Sequence, residues 1–220
     1  MNPVAKRVRK LLSWRHRRFV AGGNPFRECR LQFFVNTFVR EGERILDVGY
    51  GYGQFEDQLA RFGVRNAIIA LDIVPRNTSG NPNVTAFVVA DAAHLPFAAR
   101  SIDVIYCNSL LEHVGDWRVQ RQAFAEVERV GCKFFVQTPN RHFPIDAHHL
   151  FPFFQHLPRS IQQWIGQNVL GHYEQVWLLD RGAVKKLASI GHGIAIWEEK
   201  MLGLTKSFVL YRRDPADRGE

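Results

Sequence analysis

The sequence predicts an α/β fold, a parallel sheet with helices on both faces. Three observations carry that prediction. Short apolar runs alternate with amphipathic helical stretches over residues 26–137. A buried-type strand ends in an acid and enters a turn with glycine at every second position, Gly49, Gly51 and Gly53. Two β-like runs close the chain with a glycine-containing bend between them. Parallel neighbours need long crossovers, so strands that alternate with helices place those helices on the two faces of one sheet.

The elements follow in order. Asn2 to Phe19 has apolar residues at Val4, Val8, Leu11, Leu12 and Phe19, a helical spacing opposite a cationic face. After Asn24-Pro25 a helix runs from Phe26 to about Arg40, with Phe33, Phe34, Val35 and Phe38 as its apolar side. Arg44–Val48 reads as a strand, Gln54–Phe62 as a helix, and Asn66–Leu71, Val84–Val89 and Ile102–Cys107 as strands. Asp116–Val130 is an amphipathic helix carrying Trp117, Val119, Phe124 and Val127, and Lys133–Gln137 is the next strand. The rhythm then breaks. Residues 139–172 are rich in Pro, His, Phe and Trp and read as an insertion. Leu179–Ile190 is helical, with Asp180 as N-cap and Gly191 as terminator. Ile194–Glu198 and Lys206–Arg212 form a hairpin around Gly203, and residues 213–220 are a charged, frayed end.

The chain has 220 residues, 46% hydrophobic and 23% charged, which suits one domain with a real core and excludes wholesale disorder, collagen and coiled coil. Its net charge is +8, but residues 1–20 hold seven basic residues and no acid, leaving 22 basic against 21 acidic residues in 21–220. The body is therefore nearly neutral, and the basicity belongs to an amphipathic tail, residues 1–23. Three widely spaced cysteines, Cys29, Cys107 and Cys132, without a C-x-x-C pair, fit a reducing compartment. No apolar run approaches the roughly 20 residues of a membrane span, and the basic N-terminus lacks the apolar stretch of a signal peptide. The expected location is cytoplasmic.

The chemistry centres on Ile45-Leu46-Asp47-Val48-Gly49-Tyr50-Gly51-Tyr52-Gly53. Glycines let backbone approach a ligand closely, and open α/β sheets bind ligands beyond the carboxyl ends of their strands. A dinucleotide fingerprint needs a third glycine where Gln54 stands, and a P-loop needs a Gly-Lys-Ser/Thr that is missing. What remains, D-x-G-x-G-x-G, resembles motif I of the class I S-adenosylmethionine-dependent methyltransferases. The resemblance continues in order through Leu71-Asp72-Ile73, through Val89-Ala90-Asp91-Ala92 with Leu95-Pro96-Phe97, and through Ser101 to Val114, which contains Leu111-Glu112-His113-Val114. Ile102 in place of Phe and Tyr50 in place of Cys are its departures. It covers residues 26–212.

The resemblance implies a Rossmann-like sheet of seven strands, mostly parallel with one antiparallel strand, in a domain spanning residues 24–212. It implies S-adenosyl-L-methionine as cofactor. Asp47, Gly49, Gly51 and Gly53 would line the methionine end, Asp72 with Ile73 the ribose, Asp91 with Ala92 the adenine, and Asn108 the fourth strand's end. A carboxylate suits two adjacent hydroxyls because it offers two acceptor oxygens. Methyl transfer is an in-line attack with a neutral leaving group, so positioning and desolvation carry the rate, and a hydroxyl acceptor also needs a base. A catalytically silent binding module is the rival reading, and the intact acids at 47, 72 and 91 argue against it.

Acceptor specificity in such families lies after strands four and five, here Asn108–Val114 and the insertion 139–172, on the substrate side. A small-molecule, glycan or lipid-linked acceptor is expected, with an RNA or protein acceptor as the alternative. His113, His142 and His148 are the candidate bases, since histidine titrates in the useful range. For each, a packing or loop-securing role stands beside the catalytic one, as it does for Glu112, while Trp164 and Tyr173 either close the pocket or pack. No metal is expected, because the spacing of His142, His148, His149 and His156 fits no standard zinc pattern. Nucleic acid is disfavoured: Cys107-Asn108-Ser109-Leu110 lacks the Asn/Asp-Pro-Pro-aromatic motif of base-amino methyltransferases, and the body carries no charge excess. The tail has three readings: an anchor on an anionic membrane surface at the inner face of the membrane, a nucleic-acid contact, or a solvated helix covering the domain.

Overall fold

The computed structural model describes residues 25–51, 53–78, 81–145, 148–149, 151–170 and 173–214. The basic tail, residues 1–23, and residues 215–220 of the frayed end lie outside them. Helix α1 (Pro25–Phe38) precedes strand β1 (Ile45–Val48), helix α2 (Gln54–Arg61), strands β2 (Ile68–Asp72), β3 (Val84–Val89) and β4 (Ile102–Asn108), helix α3 (Trp117–Val130) and strand β5 (Gly131–Pro139). A 3-10 turn (Phe154–His156), helix α4 (Arg159–Ile165) and a π turn (Gly166–Leu170) follow, then helix α5 (Arg181–Ala188) and the hairpin β6 (Ala195–Met201) and β7 (Leu204–Arg212).

The strands form one seven-stranded sheet in the order β3-β2-β1-β4-β5-β7-β6. β7 runs antiparallel to both β5 and β6, and the pairs β1–β2, β1–β4, β2–β3 and β4–β5 are parallel. This is the sheet expected from the sequence. β5 is longer than the apolar run suggested, because Pro139 and Thr138 also pair with Ser207 and Phe208 of β7. Beyond Pro139, no strand of the main sheet occurs among the described residues of the insertion, which does contain α4.

Side chains alternate across a strand, so each strand feeds two cores. On one face Leu46, Val48, Ile105, Cys107, Phe134, Val136, Phe208 and Leu210 pack with Phe124 and Val127 of α3 and Val184 and Leu187 of α5. On the other, Ile45, Val104, Tyr106, Phe135 and Val209 pack with Phe34 and Phe38 of α1 and Phe55 and Leu59 of α2. The second core is aromatic: the Phe34 ring meets Tyr106 at 4.9 Å and Phe135 at 5.7 Å edge to face, and Phe55 stacks on Tyr106 at 3.7 Å. Asp116 caps α3 through the Arg118 and Val119 N–H groups, and Asp180 caps α5 through that of Ala183. Among the described residues no helix is long and apolar enough to cross a membrane.

Phe34 is fully buried at the centre of the aromatic core. Phe34→Ala is expected to cost about 3–5 kcal/mol in chemical denaturation, the usual penalty for emptying such a site. A loss below about 1 kcal/mol would mean that α1 is a peripheral appendage.

Candidate active site

The glycine turn is pinned to the neighbouring strand. The N–H groups of Gly49 and Tyr50 both donate to the Leu71 carbonyl, at 2.8 and 3.0 Å, and that of Gly51 donates to Asp72 Oδ2 at 2.9 Å. The route demands left-handed backbone, with φ of +94° at Gly49 and +72° at Gly53. Space is restricted as well: a Cβ on Gly49 would lie 3.1 Å from Leu110 Cδ1, and one on Gly53 would lie 2.5 Å from Tyr50 Oη. Glycine is therefore required on two counts at both positions.

The acids line the same strand ends. Asp72 ends β2; its Oδ1 accepts from the Val74 N–H at 3.0 Å, and Arg76 Nε lies 3.7 Å from its Oδ2. Each oxygen keeps a second lone pair for a ligand hydroxyl. Ile73 beside it is exposed. Beyond β3, Asp91 Oδ1 accepts from Ala93 N–H at 2.9 Å, and Ala92 is buried. Asn108 ends β4 with a buried Oδ1 that has no hydrogen-bond partner among the described residues. An unpaired buried oxygen is costly, and a ligand donor would relieve that cost.

Asp47 is buried within β1, beside the buried Glu56 of α2. Burial pushes the Asp47 carboxyl well above the usual carboxylate range, and the charge of Glu56 adds to this. Burial raises Glu56 too, and neither Glu56 oxygen finds a donor among the described residues. A proton held between the two carboxyls would satisfy both. Glu56 was not anticipated from the sequence. The available signal was an acid one turn from Leu59, on a helix face that must meet the sheet.

A second group assembles at the ends of β4 and β5. Ser109 takes φ +54° and donates its hydroxyl to Gln137 Oε1 at 2.9 Å. The loop after it is clamped: Gln120 Nε2 donates to the Leu111 and Trp177 carbonyls at 3.0 and 2.6 Å, and the Trp177 N–H donates to the Glu112 carbonyl at 2.8 Å. Glu112 is fully buried, and its Oε2 accepts from Thr138 Oγ1 at 3.1 Å. His113 Nδ1 meets Glu174 Oε1 at 2.8 Å, and its Nε2 lies 3.1 Å from His148 Nε2. His148 Nε2 is in turn 3.6 Å from Glu112 Oε1. The structure thus unites His113 and His148, which lie on opposite sides of the insertion boundary. His142 is exposed, its ring 6.0 Å from that of His156. His149 is a packing histidine, buried at 4.2 Å on the Phe154 ring with Tyr173 beyond it at 6.2 Å. Trp164 is exposed. Glu174 and Thr138 had no sequence signal, because their partners are distant in the chain.

Comparison with known proteins places this geometry. The family described as "Methyltransferase domain" matches residues 14–189. The chain belongs to that family, the class I S-adenosylmethionine-dependent methyltransferases. A "Ubiquinone biosynthesis O-methyltransferase" of Hahella chejuensis is 30% identical over 118 residues, 51% of this chain and 50% of that protein. The chain spans about half the length of the curated relatives it matches. Among solved structures, a SAM-dependent methyltransferase from Aquifex aeolicus aligns over 96% of this chain and 98% of its own, with TM-score 0.57 and 16% identity. A magnesium protoporphyrin IX methyltransferase from Synechocystis, solved with bound SAH, aligns over 94% of this chain and 81% of its own, with TM-score 0.51 and 16% identity. At these identities the structural matches establish the fold.

The Asp47–Glu56 pair has a consequence for stability. A carboxyl with a raised folded pKa stabilises the fold below its unfolded pKa of about 4 and loses that contribution as pH rises through the folded value. The cofactor-free protein should therefore lose stability from this pair as pH rises above about 4, by up to about 1.4 kcal/mol per pH unit for each coupled proton. Glu56→Gln should flatten that part of the profile in denaturant titrations from about pH 4 to about pH 8. Parallel profiles for the two proteins would refute the coupling.

Proposed function

We propose that the chain is an enzyme that methylates a hydroxyl of a small-molecule, glycan or lipid-linked acceptor with S-adenosylmethionine. The observation that carries this reading is the adjacency of two groups of residues. Leu110, three residues before His113, packs on the glycine turn at Gly49. The Glu112–His113–His148 group therefore stands beside the crevice where the family holds its cofactor. The residues fit that cofactor: the turn admits no side chain at Gly49 or Gly53, Asp72 presents two acceptor oxygens, and Asn108 Oδ1 awaits a donor. Asp47, Gly49, Gly51 and Gly53 would line the methionine end, Asp72 and Ile73 the ribose, and Asp91 and Ala92 the adenine.

When bound, S-adenosylmethionine supplies a methyl group from its sulfonium, whose sulfur keeps the C–S electron pair and leaves neutral. The chain's own residues then orient the acceptor oxygen in line with that methyl and place its hydroxyl at the His113–His148 centre, from which the proton leaves to solvent. The names of the curated relatives, O-methyltransferases of ubiquinone biosynthesis, favour an oxygen acceptor of small-molecule type. The +7 tail supports a peripheral position on an anionic membrane surface at the cytoplasmic face, close to an apolar acceptor.

Calorimetry should detect S-adenosylmethionine binding that Asp72→Ala weakens by about 1–3 kcal/mol, the cost of leaving buried polar partners unpaired. Full affinity in both Asp72→Ala and Asp47→Ala would remove the assignment. Methyl transfer from labelled cofactor into fractionated lysate should label the lipid, glycan or small-molecule fraction, and label confined to RNA or protein would overturn the acceptor class. In flotation with anionic vesicles, deletion of residues 1–20 should abolish association. Unchanged flotation would dispose of the membrane role.

A further inference from the structure

We propose that Glu112, His113 and His148 form a divalent-metal site of the two-histidine, one-carboxylate type. No metal spacing is legible along the chain, because the third ligand arrives from the insertion, 35 residues beyond His113. In space one ligand atom from each of the three residues lies within 4.8 Å of the others, and His148 Nε2 is 3.6 Å from Glu112 Oε1. The two Nε2 atoms face each other at 3.1 Å. Two imidazole nitrogens bound at about 2.0–2.1 Å to one tetrahedral zinc stand a little over 3 Å apart, so small adjustments admit an ion between them.

Three further features point to a ligand here rather than to chance proximity. Glu112 is fully buried, and its Oε1 has no hydrogen-bond partner among the described residues, although its Oε2 is held by Thr138. A buried carboxylate oxygen without a donor is expensive, and a cation removes the cost. The Glu174 carboxylate on His113 Nδ1 fixes the proton there and turns the Nε2 lone pair toward the cluster. A carboxylate behind a histidine is the arrangement that metal-bound imidazoles regularly use. Finally, Gln120 and the Trp177 N–H clamp the backbone of the loop that carries Glu112 and His113, so the first two ligands are held in place before an ion arrives.

Imidazole with carboxylate suits Zn(II), Co(II), Mn(II) or Fe(II) rather than calcium or magnesium. Three protein ligands leave a coordination position open, as in catalytic rather than structural sites. The site's role rests on the methyl-transfer reading: an acceptor hydroxyl in the open position would lose its proton to solvent more readily, the O–H electron pair remaining on the oxygen. Ion binding itself does not depend on that reading and is tested without cofactor or acceptor.

The full chain, stripped with a chelator and dialysed, is titrated with Co(II) and followed by visible d–d absorption. One equivalent should give the spectrum of a four- or five-coordinate N/O site, and Zn(II) should displace it. His148→Ala and Glu112→Gln should each abolish the saturable signal. Glu174→Ala, which leaves all three ligands, should weaken Co(II) binding about 10–100-fold. Circular dichroism and S-adenosylmethionine calorimetry on each variant check folding, and His148→Ala should keep both the wild-type spectrum and the cofactor affinity. Absence of stoichiometric Co(II) and Zn(II) binding to the wild type, or equal binding by folded His148→Ala, overturns the site. Loss of cofactor affinity in the wild type with metal binding intact would instead overturn the methyl-transfer reading and leave the metal site standing.

Discussion

Everything at the crevice depends on how the chain turns after β1. Two N–H groups of the turn share the Leu71 carbonyl, and a third is taken by the Asp72 carboxylate. That bundle ties the end of β1 to the end of β2 without help from any side chain of the turn itself. It also forces positive φ and close approach, which is why the positions must be glycine. If the bundle were lost, the acid that closes β2 and the helix that follows the turn would lose their common reference. Asp72 therefore serves two purposes: its Oδ2 holds the turn through the Gly51 N–H while its Oδ1 holds the Val74 N–H, and each oxygen keeps a lone pair for a ligand.

The sheet around that turn is held by cores of different character. The face under α3 and α5 is largely aliphatic, and the face under α1 and α2 is a network of rings built from Phe34, Phe38, Phe55, Tyr106 and Phe135. The aromatic face also carries charges that rarely survive burial. Arg30 of α1 lies 3.6 Å from Glu199, and Lys206 lies 3.5 Å from the same carboxylate. Lys133 donates to the Phe38 carbonyl at 2.9 Å and pairs with Glu43. Such pairs contribute little net stability, but breaking one strands its partner, so they fix where α1 and the hairpin sit.

The strands, and the acids and glycines at their ends, were legible because local residues encode them. Asp47, Gly49, Gly51 and Gly53 stand at alternate positions within seven residues, and Asp72 and Asp91 lie at the ends of strands that announce themselves by apolar runs. The helix cap at Asp180 was readable for the same reason. The acceptor side was not. Glu112 owes its environment to Thr138, His113 to Glu174, and both to His148, and none of these pairings has a fixed separation along a chain. Counting histidines within the insertion grouped His142, His148, His149 and His156, whereas folding leaves His142 beside His156 and sends His148 to His113. Chain spacing reveals such a group only when one segment supplies it, and here two do.

The reversed direction of β7 has a consequence for how such an enzyme can diversify. Because β7 runs against β5, its first residues lie beside the last residues of β5, where the insertion departs. The Asn140 side chain donates to the Thr205 carbonyl at 2.7 Å, and the Asn140 N–H donates to that of Lys206 at 2.9 Å. The root of the insertion is thus bolted to the hairpin, on the opposite side of the sheet's midline from β1, β2 and β3. Substitutions in residues 141–178 can reshape that end of the sheet while β1, β2 and β3 keep their own scaffold. The molecule is in effect a fixed socket with an exchangeable fitting.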